Sequence, residues 1–179
     1  MTLRRALLVI ALLLATGAWI AVVYWMTGMT HKESPWLDID LNTVPPGSPK
    51  FYTFQGTPLA LLRTTDEMLD DLEAQTAHTW NQRPIATPRP AFFVYALVGP
   101  VDGCEVEHSP LGADRYAPSR PWQGGYYDTC RFGEWDYAGR AIRQYADQDP
   151  RLLRMPDLDV PDFELREQHI LRITRAAKR

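Results

Sequence analysis

The stretch DTCRFGEWDYAGR, Asp128–Arg140, decides how this chain is read. A lone cysteine, Cys130, sits in a turn-like setting. Gly133 follows, then Trp135, Asp136 and a Gly139-Arg140 ending. The loop is built like one half of a metal site whose ligands have been taken out. The flanking pieces GYYDTC and FGEWDYAG read as short strands around the turn.

Outward from this loop the pattern is that of a β protein. AFFVYALVG (91–99) is a continuous apolar run of strand length, a buried core strand, and it leads into PVDGC, which ends at Cys104. WLDIDL (36–41) alternates apolar and polar residues, as a half-buried strand does. VPPGSP is a turn, and KFYTFQGTPLALLRT reads as two strands around a tight turn at Gly56 and Pro58. TTDEMLDDLEAQ has a Thr cap, early acids and apolar residues at Met68, Leu69 and Leu72, so a short helix is expected there. The Pro-rich segment 76–90 is expected to be loop, and FELREQHILRITR to form a closing hairpin. There are no internal repeats. Fifteen prolines in 179 residues favour loops, turns and strands over long helices. The expected fold class is all-β: many short antiparallel strands and one short helix, as in small barrels and sandwiches.

The N-terminus is of another kind. Arg4 and Arg5 precede an apolar run from Ala6 to Met26. Its length matches the ~20 residues a membrane-spanning helix needs. Tyr24 and Trp25 at its end suit an interfacial belt. The other reading is a cleaved signal peptide, but a signal h-region is only ~7–15 residues long, and no small-x-small cleavage site follows. The expected organisation is therefore a transmembrane anchor at 1–26, a polar linker at 27–35 and a domain at 36–179. The positive residues before the helix keep the N-terminus cytoplasmic. That makes a single-pass protein of the inner (cytoplasmic) membrane, with its domain on the periplasmic side and the lipid bilayer contacted through residues 6–26.

The net charge is −3. No Lys/Arg cluster interleaves with aromatics, so nucleic acid is not an expected partner. The basic end TRAAKR reads as a solvated tail. In an oxidising compartment the two cysteines, Cys104 and Cys130, read as one disulfide, with two buried free thiols as the other reading. No Ser-His-Asp arrangement, phosphate-binding Gly loop or zinc signature is present, so the chain is not expected to be an enzyme. Cys104, His108 and Cys130 could instead form a remade metal site, though without an evident fourth ligand. His31, His78 and His169 read as surface histidines, and Asp70, Asp71, Glu105 and Glu107 as surface acids.

The order of these elements resembles the Rieske iron–sulfur subunit of respiratory cytochrome bc complexes, over nearly the whole chain. The segment VPPGSPKFYTFQGTPLALLRTTDEML is similar to that family's Pro-Gly turn, strand and Trp-Arg-Gly-Lys-Pro-Val stretch with the Arg-Arg-Thr after it. The segment MPDLDVPDFELREQHILRI is similar to its closing Asn-Leu-Glu-Val-Pro segment and last strands. The family holds a two-iron two-sulfur cluster between a Cys-Thr-His-Leu-Gly-Cys loop and a Cys-Pro-Cys-His-Gly-Ser-x-Tyr-Asp-x-x-Gly-Arg loop. One Cys and one His from each are ligands, and the remaining two Cys form a disulfide. Laid on this chain without gaps, Cys104 and Cys130 fall on the disulfide positions. Gly99 and Val101 fall on the ligand Cys and His of the first loop, and Asp128 and Arg131 on those of the second. Gly133 stands where a Ser donates to a cluster sulfide, while Trp135, Asp136, Gly139 and Arg140 keep the motif's end.

The resemblance thus implies a Rieske-like antiparallel β domain with a small loop subdomain. It keeps the frame of a degenerate iron–sulfur site without its ligands. Asp128 and Arg131 are expected either to pair and fill the vacated site or to be two solvated charges. The family's Gly-Pro-Ala-Pro loop is replaced by AIRQYADQDPRLLRMP, so the surface that docks quinol and cytochrome c is expected to be remade. The implied function is a cluster-free accessory or assembly subunit of a respiratory electron-transfer complex, with membrane-embedded subunits such as a cytochrome as partners and no cofactor. The alternatives are a quinol-to-cytochrome c electron carrier with a divergent two-iron two-sulfur site, and a free-standing periplasmic binding module.

Overall fold

A computed structural model describes residues 3–29, 34–110, 124–143 and 154–176, and the side chains of 10–25 within the first helix. His31, the end of the tail TRAAKR and most of the replacement segment AIRQYADQDPRLLRMP lie outside the described residues. The chain forms two compact units, 1–35 and 36–179.

The first unit is a helix, α1 (Leu3–Met29). Its described side chains are exposed and, Thr16 apart, apolar, among them Leu12, Leu13, Leu14, Trp19 and Ile20. Among the described residues no helix is long and apolar enough to cross a membrane.

The second unit is mostly β. Among the described residues nine strands make three antiparallel sheets of three strands each: β1 (Leu37–Asp40), β9 (Ile170–Arg175), β8 (Asp162–Arg166); β2 (Lys50–Phe54), β3 (Thr57–Arg63), β4 (Phe92–Ala96); and β5 (Val106–Ser109), β6 (Gly125–Asp128), β7 (Glu134–Asp136), in those orders across the sheets. The β2–β3–β4 sheet is buried on both faces at its centre. Leu59 and Leu61 of β3, with Val94 of β4, pack against Ile39, Val44, Leu171 and Ile173. Ala60 and Leu62, with Tyr95, pack the other way against Leu69, Leu72, Tyr126 and Trp135. This two-sided burial explains why the β4 stretch AFFVYALVG reads as an unbroken apolar run rather than as an alternating one.

The short helix α2 (Asp66–Ala74) begins where Thr65 caps it: the Thr65 hydroxyl accepts from the Met68 amide at 3.2 Å, and Asp66 and Glu67 occupy the first turn. It buries Leu69 and Leu72. Gln55 and Gly56, both with positive φ, make the β2–β3 turn.

Strand β5 is absent from the pattern-based expectation. VEHS offers one buried apolar residue before a half-buried histidine, too little for a period. It is a strand because it pairs with β6, with Val106 opposite Asp128 and Glu107 opposite Tyr127.

Candidate functional site

Two loops meet at one end of the β5–β6–β7 sheet. The first, 99–104, is a tight connection closed by the Val98–Glu105 bridge. The Gly99 amide donates to the Cys104 carbonyl (2.7 Å), and the Gly103 amide, with φ +74°, donates to the Gly99 carbonyl (2.9 Å). Asp102 makes an Asx turn, its Oδ1 accepting from the Cys104 amide at 3.0 Å. The loop has folded in on position 99. A Cβ there would lie 3.0 Å from Asp102 Oδ1 and 3.4 Å from the Cys104 amide nitrogen.

The second loop is the β6–β7 turn. The Asp128 amide donates to the Gly133 carbonyl (3.0 Å), and Asp128 Oδ1 accepts from the Arg131 amide (2.6 Å). Phe132 takes a left-handed conformation, φ +58°. Asp128 is wholly buried, and its Oδ2 has no hydrogen-bond partner among the described residues. Gly133 is required where it stands. A Cβ there would come within 2.5 Å of the Trp135 ring, 2.7 Å of Asp128 Oδ2 and 2.8 Å of Met155 Cε.

Two links cross between the loops. One is the Cys104–Cys130 disulfide, with its Cα atoms 6.4 Å apart. The other is an ion pair in which Arg131 Nε donates to Asp102 Oδ2 at 2.9 Å. The Cys104 amide and, after it, the Arg131 guanidinium hold the Asp102 carboxyl below its ordinary pKa.

Behind the loops the motif's end is a buried anchor. Asp136 and Arg140 are each 1% exposed and pair at 2.7 Å. Arg140 also donates to Thr76 Oγ1 (3.0 Å), the Arg83 carbonyl (2.7 Å) and the Leu72 carbonyl (2.6 Å), which ties the β7 turn to α2 and the Pro-rich loop. Burial pushes the Asp136 carboxyl up from its ordinary pKa, and the Arg140 charge opposes that rise. Gly139, φ +65°, lets the chain pass over the Tyr95 ring, whose hydroxyl donates to the Ala138 carbonyl at 2.5 Å. Trp135, fully buried, donates from Nε1 to the Pro156 carbonyl at 2.8 Å.

No family model matches the chain, and no curated protein does. Among solved structures, a chain of "Hyperthermophilic respiratory Complex III" is similar at 14% identity and a TM-score of 0.44, over 94% of this chain and 99% of that one. At that level of agreement no residue role or activity is carried over from it.

The structure revises the expectation for Asp128 and Arg131. They are neither an ion pair nor two solvated charges. Asp128 is buried and takes the Arg131 backbone N–H, while the Arg131 side chain, 41% exposed, reaches the other loop at Asp102. Asp102 was not foreseen, because its partner becomes visible only once the disulfide brings the loops together. Of the two readings of the cysteine pair, the structure has the disulfide, so neither sulfur is left as a thiolate for a remade metal site. His108 instead lies half-buried among Phe51, Tyr126 and Tyr137, with Nε2 3.1 Å from the Tyr137 hydroxyl, and burial lowers its pKa. His78 is exposed and His169 is half-buried.

The residues present do not fit a two-iron two-sulfur cluster. Such a cluster needs thiolate or imidazole donors. Gly99 has no side chain, and Val101 carries an isopropyl group with no donor. Asp128 is committed to the Arg131 amide, and Arg131 is a cation committed to Asp102. Among the described residues no group of three or more His, Cys, Asp or Glu could hold a metal ion. What the site does present is a braced pair of loop tips, with Val101 46% and Phe132 54% exposed. Beside the first loop lies a hollow of about 780 Å³ lined by Gly99, Pro100, Val101 and Asp102 together with Thr53, Thr57 and Pro58.

Proposed function

We propose that this chain is a membrane-anchored, Rieske-fold protein without an iron–sulfur cluster. In this reading it serves as a non-redox accessory or assembly subunit of a respiratory electron-transfer complex, without catalytic activity of its own. The observation that carries the reading is the pairing of a kept frame with lost donors. Cys104 and Cys130 tie two loops at the positions the resemblance assigns to the disulfide, while Gly99, Val101, Asp128 and Arg131 stand at the four ligand positions. The lost coordinate bonds have protein substitutes: the Arg131–Asp102 pair across the loops and the Asp128–Arg131 turn within one. A frame braced in this way holds its tips rigid, as a contact surface needs. Residues 6–26 would place that surface beside membrane-embedded partners such as a cytochrome, on the periplasmic side of the inner membrane.

The test is to purify the full-length chain from membranes with and without its partners. The separated chain should contain no stoichiometric iron or acid-labile sulfide, and the intact preparation should hold cytochrome subunits in fixed ratio to it. About two irons and two sulfides per chain, with the electron paramagnetic signal of a reduced two-iron cluster, would replace this reading by electron transfer. A colourless protein that leaves the membrane without any partner would replace it by a free-standing module.

A further inference from the structure

The closing hairpin carries a feature that the loop site does not use. Strand β8 is an edge of its sheet, paired only with β9 among the described residues. All five of its residues are exposed. The register places Phe163 opposite Ile173 and Leu165 opposite Leu171. Side chains opposite one another lie on the same face of a sheet, and on β9 that face is core, with Leu171 and Ile173 at 0% exposure. On β8 the same face holds Phe163 at 39% and Leu165 at 51% exposure, flanked by Val160 at 53%. The sheet therefore runs one strand past the edge of its own core. Phe163 packs edge-to-face on Phe92, and Leu165 is the more exposed of the two.

The charges on β8 suit one kind of partner. Edge strands are commonly guarded by charge, and here the guard is complementary to itself. Asp162 and Arg166 lie equally far on either side of Glu164. In a two-fold antiparallel pairing centred on Glu164, each Asp162 faces an Arg166 and each Phe163 faces a Leu165. Directly across the pairing the one like-charge contact is Glu164 against its own copy, and on the diagonals Glu164 has the partner's Asp162 on one side and the partner's Arg166 on the other. Each Glu164 already holds Arg166 of its own strand at 3.1 Å, and the partner's Arg166 would sit at the diagonal position, within reach of a long side chain. Asp162 is engaged with Arg175, but both are more than half exposed, so that pair gives way at little cost.

We infer that β8 is a self-association edge, at which a second copy of this chain adds antiparallel to Asp162–Arg166. This goes beyond the subunit reading and does not depend on it. A five-residue edge buries less than the ~1,200–2,000 Å² of stable interfaces. The dimer is therefore weak and concentration-dependent.

The test uses the full-length chain with its native disulfide intact. The described residues contain no free cysteine, so an introduced one is the only thiol among them. In the proposed register Glu164 meets itself with Cα atoms about 4.5–5.5 Å apart, within disulfide reach. Asp162 is four residues from its own copy, about 13 Å away, and out of reach. Mild oxidation of Glu164→Cys should give covalent dimer at least several-fold above Asp162→Cys alone, Arg166→Cys alone, and the exposed-site control Glu105→Cys. Mixing Asp162→Cys with Arg166→Cys should restore the yield. Adding Arg166→Asp to Glu164→Cys should lower the yield several-fold, and adding Asp162→Arg as well should recover it. Equal yields at 162, 164 and 166, or no excess over the control, would overturn the inference. So would a Leu165→Lys variant that loses binding to lipid vesicles or to another protein while the Glu164→Cys crosslink is unchanged, because the face would then belong to that other occupant. All substituted side chains on β8 are exposed, and circular dichroism checks that each variant keeps its fold.

Discussion

Replacing Arg140 by Ala should be among the most damaging single changes in the domain. Arg140 is 1% exposed, and each of its donors has an oxygen to serve: Asp136, Thr76, and the carbonyls of Leu72 and Arg83. Its loss strands the Asp136 carboxylate in the core beside Tyr95 and Trp135. Breaking a buried pair from one side costs about 3–5 kcal/mol, which for a domain of this size lowers Tm by on the order of 10 °C. Arg140→Lys should fall between, because one ammonium cannot replace a planar fork that reaches four acceptors. The pH dependence gives a sharper check. Burial raises the Asp136 pKa in the folded chain, and Arg140 opposes that rise. A carboxyl whose folded pKa lies above the unfolded ~3.9 contributes stability that is full below ~3.9 and lost as pH climbs through the folded value. Without Arg140 the folded value rises further, so the variant loses more on the way up to neutral pH. The stability gap between wild type and Arg140→Ala should therefore narrow as pH falls from ~7 towards ~4. The double variant Asp136→Asn/Arg140→Ala should recover part of the loss at pH ~7, since it removes the stranded charge. Urea unfolding followed by tryptophan fluorescence reads this, with Trp135 wholly buried in the native state. A gap under ~1 kcal/mol, or one that does not change with pH, would refute the anchor role.

Three further outcomes are expected. Removing the disulfide with paired Cys104→Ser and Cys130→Ser changes should cost up to about 3.5 kcal/mol by chain entropy for a sequence separation of 26. The exposed Arg131–Asp102 pair adds at most about 1 kcal/mol and cannot compensate, so a melting temperature indifferent to reductant would contradict the bracing argument. Gly133→Ser, the residue the resemblance calls for, should destabilise by about 1–3 kcal/mol through overpacking, because its Cβ meets Asp128 Oδ2 and Trp135; unchanged stability would mean that the pocket behind the turn is looser than described. N-terminal sequencing of the mature protein should find residues 6–26 still attached, and a start beyond Met26 would make the segment a signal peptide.

What was legible in the sequence followed from local rules, and what was not followed from contacts between distant segments. The helix at Asp66–Ala74 was readable because Thr65, Asp66 and Glu67 announce its start within one turn. The hairpins β2–β3 and β8–β9 were readable because turn residues separate two β-favouring runs. Strand β5 was not, since its state depends on β6, which lies across a disulfide-closed loop. The site divides along the same line. Both cysteines could be singled out from the sequence, and so could the donorless character of Gly99 and Val101. The fates of Asp128 and Arg131 could not, because two charges three residues apart satisfy every local rule either as a pair or as solvated neighbours. What separated them was Asp102, 29 residues from Arg131, which draws the guanidinium across the gap and leaves Asp128 to the backbone. The Gly133 requirement has the same origin. Glycine at that position reads as an ordinary turn residue until the buried carboxylate of Asp128 and the side chain of Met155 are seen to occupy the space its side chain would need. A site held together by cross-loop contacts is therefore least readable at the residues that make those contacts. That is also where substitution should separate a braced frame from a merely eroded one. If the frame has been rebuilt, Asp102→Ala should loosen the Arg131 side chain while Arg131→Ala leaves the Asp102–Cys104 turn in place, because that turn rests on the Cys104 amide and not on the cation.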